Sequence, residues 1–205
     1  MKALVKTFSL AALVCLLFTT QGFSQKVDVF DGKLKFLKGQ SKLNVKYDYS
    51  DMSVGKFKKE QEYIDEKTAD RNKKEAGSGD EWARKWVDDR EARFEPKFEE
   101  LFNKHLEKDG MKIGRYEDAK YTLILKTTHT EPGFNVGVMR RPAHINVEAW
   151  FVETANMDNV EAKVRMKKVP GQDAMGFDFD TGLRLQESYA KSGKALSKYI
   201  AKKVL

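Results

Sequence analysis

Cysteine is almost missing from this chain of 205 residues, and the single one, Cys15, lies in an apolar run near the N-terminus. If that run leaves with a cleaved leader, no thiol remains. Disulfides, thiolate metal sites, thiol nucleophiles and thiol redox chemistry are then excluded together, and the domain must hold itself by its core. Long apolar stretches are missing as well. Residues 10–18 form a run too short for a bilayer, which needs about 20 residues, and no later stretch is longer. Recognisable catalytic motifs are also absent: there is no G-x-S-x-G, H-E-x-x-H, P-loop or dinucleotide glycine pattern.

What is present starts with an export signal. Lys2 and Lys6 precede the apolar run, and Gly22 and Ser24 stand at the −3 and −1 positions of a cleavage point before Gln25. A positive start, a short apolar centre and small exit residues describe a secretory signal peptide over residues 1–24. A lipidated Cys15 would want small residues before it and a polar chain after it. Leu13, Val14, Leu16, Leu17 and Phe18 surround it instead. The expected location is periplasmic or secreted, with no transmembrane segment in the mature chain.

The formal charge of +7 loses Lys2 and Lys6 with the leader and stays positive. Exported proteins rarely meet nucleic acid, so lipid headgroups or acidic polysaccharide are the natural anionic partners. A modest spread excess also serves plain solubility.

Residues 25–205 read as one α+β domain. Alternation at residues 34–36 and 43–49, around the turn cluster Lys38-Gly39-Gln40-Ser41, predicts a β-hairpin over 27–49. Residues 57–75 predict a surface helix with a thin apolar stripe. Asp80 is a candidate cap for a second helix that buries Trp82, Trp86, Val87 and Phe94 and restarts at Pro96. Phe98, Phe102 and Leu106 continue its buried face towards Gly110. Strands are expected over 120–130, 143–153 and 160–169. A closing helix, capped by Asp180 or Thr181, buries Leu185, Tyr189, Leu196 and Ile200. No repeat or linker divides the chain. The expected architecture is a single antiparallel-rich sheet with helices packed mainly on one face.

Several residues invite chemistry and are read as structural. Phe179-Asp180-Thr181-Gly182 resembles the aspartic-protease signature, but that chemistry needs two aspartates sharing a proton, and one copy leading into a helix suits an N-cap. His129 and His144 flank a connection between strands. Strand parity places them on opposite faces unless a bulge intervenes, and His105 stands alone on a helix, so no metal site is expected. Adjacent acids such as Asp88-Asp89 and Glu99-Glu100 do not face each other on a helix. Trp82 and Trp86 read as core and not as a sugar platform. No catalytic residue and no cofactor is assigned.

The exception is the long connection at residues 131–142. It carries Phe134, Val136, Val138 and Met139, followed by Arg140 and Arg141, where hairpin loops are usually short and polar. Either the apolar residues fold back on the domain, or the loop offers an apolar and guanidinium surface to a partner.

The strand at residues 119–125 after a long helix, and the closing segment at 189–196, give a layout that resembles the small uncharacterised exported α+β proteins of Gram-negative envelopes. That resemblance implies an envelope location and transfers no settled activity. The expectation is a non-enzymatic envelope module that binds a protein or an anionic envelope component through the 131–142 loop. The alternative is a hydrolase of envelope polymers with unidentified acidic residues. Intact mass of the exported protein should place its N-terminus at Gln25, and a lipidated Cys15 at the N-terminus would overturn the leader assignment.

Overall fold

Alternation at period two builds the centre of the sheet. In Tyr121–Glu131, Leu123 and Leu125 are fully buried while Ile124 and Lys126 keep some access to water. The antiparallel strand His144–Glu153 buries Ile145, Val147, Ala149 and Phe151 on the same side. Numbered along the chain, the strands are β1 (Asp28–Gly32), β2 (Lys42–Asp48), β3 (Ser53–Val54), β4 (Lys112–Gly114), β5 (Tyr121–Glu131), β6 (Phe134–Asn135), β7 (Arg140–Arg141), β8 (His144–Glu153) and β9 (Asn156–Pro170). The helices are α1 (Glu60–Asn72), α2 (Ser78–Asp89), α3 (Glu95–Leu106) and α4 (Thr181–Lys203). This is a computed structural model, and it describes residues 25–136, 139–171 and 180–205. The expected leader lies outside them.

Seven strands form one sheet in the order β1-β9-β8-β5-β2-β4, with β3 also on β5. The β1–β9, β9–β8 and β8–β5 pairs are antiparallel, whereas β2 runs parallel to both β4 and β5. β6 and β7 make a separate two-stranded hairpin.

The hairpin expected over 27–49 does not exist. β1 pairs with β9 at one edge and β2 with β5 across the sheet, so β9, β8 and β5 lie between them. Leu34–Leu37 is a short 3-10 turn that crosses the core side. Its Leu34 and Leu37 are buried, and Phe36 packs on Tyr121 and Phe151 at ring-centroid distances of 4.7 and 6.0 Å. Alternating residues there fill the bottom of the core and do not face a neighbouring strand.

The helices cover the buried side of the sheet. α1 buries no residue, as its thin apolar stripe predicts. α2 starts from Gly77 at φ 82° and not from Asp80, whose carboxylate instead accepts from Asn72 Nδ2 at 3.1 Å. Trp86 and Phe94 are buried, but Val87 is exposed. Between α2 and α3 the chain makes one π turn, Arg90–Phe94, where Glu95 N–H bonds to the Arg90 carbonyl. Pro96 follows in the first turn of α3, the one place where its missing N–H costs little.

α4 meets α3 at unusually close range through small residues. Ser192, Gly193 and Ser197 are all buried, and a Cβ on Gly193 would stand 2.3 Å from the Phe98 carbonyl oxygen. Tyr189 stacks on Phe94 with centroids 5.0 Å apart and rings 4° from parallel, and its hydroxyl shares a 2.7 Å hydrogen bond with Thr127 Oγ1 on β5. Sheet, α4 and the π turn are thus joined at one ring.

The other face of the sheet meets water. Asp48, Lys126, Glu148, Arg165 and Asp28 are successive cross-strand neighbours over five strands and alternate in sign. Lys126 pairs with Asp48 at 3.0 Å and Arg165 with Asp28 at 2.8 Å. One row along, Trp150 has the ammoniums of Lys126 and Lys163 each 4.5 Å from its ring and donates to Glu148 Oε2 at 2.9 Å. Opposite charges placed directly across strands suit a solvated face and need no ligand.

Gly193→Ala tests the close helix contact. In an open helix this change gains up to about 1 kcal/mol from propensity. Here the added methyl must push α3 back, so thermal or denaturant unfolding should show a loss of about 1–3 kcal/mol.

Candidate functional site

The 131–142 connection is neither a loose loop nor part of the core. β6 and β7 pair Phe134 with Arg141 and Asn135 with Arg140, and Val136 N–H bonds to the Met139 carbonyl at 3.0 Å near the tip. Phe134 is 39% exposed, Val136 60% and Met139 61%. Arg140 and Arg141 are exposed, and the Arg141 guanidinium lies 5.8 Å from the Phe134 ring centre. Val138 lies outside the described residues. Phe134, Val136 and Met139 therefore face outwards on a short two-stranded hairpin.

The base of this hairpin is braced. Arg184 on α4 is 3% exposed, and its Nη2 donates to the Pro132 carbonyl at 3.1 Å, the Gly133 carbonyl at 3.4 Å and Thr181 Oγ1 at 2.9 Å. Gly133 has φ 63°, and a Cβ there would stand 2.4 Å from the Arg141 carbonyl oxygen. Only glycine permits both the turn and the close return of β7. Glu131 completes the base: Oε1 accepts from Gly133 N–H at 3.0 Å, and Oε2 lies 3.5 Å from Arg141 Nη1.

A β-bulge corrects the histidine expectation. The β5–β8 register shifts between Thr127 and His129, which leaves Thr128 as an extra residue. Parity flips beyond it, so His129 and His144 share the open face, with ring centroids 5.7 Å apart. Nδ1 of His129 bonds to Ser53 Oγ at 2.9 Å, and Glu131 is the cross-strand neighbour of His144. Burial holds both imidazoles below their usual value of 6.5, His129 lowers His144 further, and Glu131 opposes the shift at both. No group of three or more metal-ligating side chains gathers among the described residues.

A separate cleft of about 790 Å³ opens where β2 ends, between the 48–52 turn, the start of α1 and Arg90. Arg90 lies over the Tyr49 ring at 4.3 Å and pairs with Glu60, which also accepts from Trp86 Nε1 at 2.6 Å. Behind it, Tyr49 donates to Glu95 Oε1 at 3.3 Å and Tyr47 to Glu99 Oε1 at 3.0 Å. Burial raises both carboxyls and both phenols from their ordinary values. Sequence reading weighed Glu99 only against its neighbour Glu100. The signal it missed was the spacing of four between Glu95 and Glu99, opposite tyrosines spaced by two.

The Asp180-Thr181-Gly182 motif is structural. Asp180 caps α4, accepting from Leu183 N–H at 2.9 Å, and pairs with Arg93 at 3.2 Å. A Cβ on Gly182 would stand 2.2 Å from Asp89 Oδ2. Trp86 is core and Trp82 packs partly buried beside it, their rings 5.8 Å apart, while His105 sits on α3 among Lys104, Lys108, Lys194 and Lys198.

No known protein family, curated protein or solved structure matches this chain. Function has to be read from these arrangements themselves.

The histidine pair sets a pH dependence. Since both imidazoles are held below 6.5 in the folded chain, the unfolded chain binds protons first as pH falls. Their contribution is complete above about pH 6.5 and is lost as pH drops through the folded-state values. Chemical denaturation at a series of pH values should show stability declining below about pH 6.5, with a flatter slope in His144→Gln.

Proposed function

We propose that this chain is an exported, non-enzymatic module of the bacterial envelope that holds a protein or an anionic envelope component on the hairpin at residues 131–142. The leader supports export. The observation that carries the binding reading is the pairing of an exposed apolar tip with a braced base. Phe134, Val136 and Met139 contribute little to the core, while Arg184, Gly133 and Glu131 fix the hairpin's position. Apolar side chains held in water at a defined place are the mark of an interaction surface. The adjacent guanidiniums suit carboxylate or phosphate groups on the partner.

The hydrolase alternative would use the acids near the cleft. Of the acids lining the cleft, Glu60 is held by Arg90 and Trp86 and Asp48 by Lys126 and Ser50, which leaves Asp51 as a single carboxyl. Glu95 and Glu99 behind the cleft are each engaged by a tyrosine. None of these stands as a free carboxyl couple flanking an open space, so the binding reading is preferred.

Replacing Phe134 and Met139 together by serine separates binding from folding. Stability should change by no more than about 0.5 kcal/mol, as exposed positions usually do. Retention of the protein on native envelope fractions should fall. A loss of about 2–5 kcal/mol for each truncation would show instead that these residues serve the core.

A further inference from the structure

Several features converge on the end of the sheet from which the hairpin projects. β5 ends there and β8 begins there, on either side of Phe134, Val136, Met139, Arg140 and Arg141. On one flank, β9 runs out through Lys167 and Lys168. Both are exposed at a register shift against β8, and Lys168 N–H bonds to Asn146 Oδ1 at 2.8 Å. On the other flank, Gly55 N–H bonds to the Thr130 carbonyl, which sets Lys56 beside the end of β5. Lys56 also meets Glu66 at 3.5 Å, and Asp51 is a further exposed acid on this flank. Arg140 and Arg141 thus lie on the hairpin itself, and Lys56, Lys167 and Lys168 lie at the strand ends beside its base.

The start of the described chain lies at this same end. β1 is antiparallel to β9, and Gln25 Nε2 donates to the Lys167 carbonyl at 3.0 Å.

We infer that this end of the sheet is a membrane-facing surface, and that the partner of the 131–142 hairpin is a bilayer bearing anionic headgroups. The inference rests on the binding reading above and names its occupant. Phe134, Val136 and Met139 enter the headgroup region, where apolar side chains leave water. Arg140, Arg141, Lys167 and Lys168 meet the phosphates around them. Cations close to an anionic bilayer each strengthen binding severalfold, and the effect fades within a Debye length.

The test is sedimentation of the exported protein with phosphatidylcholine vesicles prepared with and without phosphatidylglycerol. Wild type and variants carry the same N-terminus, so a retained leader contributes equally to all. Wild type should bind the phosphatidylglycerol vesicles preferentially and lose that preference as salt is raised. Arg140→Gln with Arg141→Gln should weaken binding about 30-fold, and Phe134→Ser with Met139→Ser by tenfold or more. Equal binding to both vesicles, no binding to either, or variants that bind as wild type would overturn the assignment. If a double variant melts early, single Met139→Ser and Arg140→Gln decide, since both positions are exposed. Washed native envelopes separate the two readings. Variants that detach from them while wild type ignores vesicles leave the hairpin with a non-lipid partner and sink the bilayer. Variants retained on both envelopes and vesicles sink the hairpin as well.

Discussion

The parallel pairing of β2 with both β4 and β5 is the constraint from which the rest of the architecture follows. Parallel neighbours cannot be joined by a tight turn, so the chain leaving β2 must travel back the length of the sheet before it can form β4. α1, α2 and α3 are that return path. They lie with α4 over one face, where Leu123, Ala149 and Val164 are completely buried. The opposite face is left to water, and its cross-strand order of Asp48, Lys126, Glu148, Arg165 and Asp28 lets five strands meet solvent without unpaired like charges. The same path brings α3 against β2, so Tyr47 and Tyr49 find their acceptors in Glu99 and Glu95.

Periodicity reveals faces, and it revealed them here wherever a segment stayed regular. β5, β8 and α4 could be read because each holds one period over most of its length, β5 as far as Thr127. It does not reveal partners. Alternation in residues 43–49 marks a strand whether that strand pairs with β1 or with β5, and only the tertiary arrangement chooses between them. In the same way Leu34, Phe36 and Leu37 carry the right residues for a strand and form a plug, because the core below Tyr121 and Phe151 needs filling. The histidines make the point with one residue. Thr128 is the extra residue of a bulge, and nothing in its identity announces that it would turn His129 towards His144.

The candidate site was half legible. An apolar connection ending in two arginines stands out by composition alone, since such connections are ordinarily polar. What holds it in place was not visible, because the brace comes from more than forty residues away in sequence. Arg184 lies one residue before Leu185 on the buried side of α4, and a charge in that position is the clue that was available. A buried guanidinium is costly unless its donors are met. Here the carbonyls of Pro132 and Gly133 accept from its Nη2, which ties the guanidinium to the hairpin base.

That arrangement ties two regions into one mechanical unit. Separating the hairpin base from α4 would strand a positive charge inside the protein, a far larger penalty than the loss of one neutral hydrogen bond. The base is therefore held as firmly as the core, although the tip contributes almost nothing to the core. A surface fixed in this way gives up little conformational freedom when it meets a partner, and that is the condition under which a few apolar side chains bind usefully. The placement of Asp180 strengthens the same unit from the other side. By capping α4 and pairing with Arg93, it secures the helix turn from which Arg184 reaches the hairpin. The residues that looked like a protease signature thus act as an anchor for the surface on which the binding reading depends.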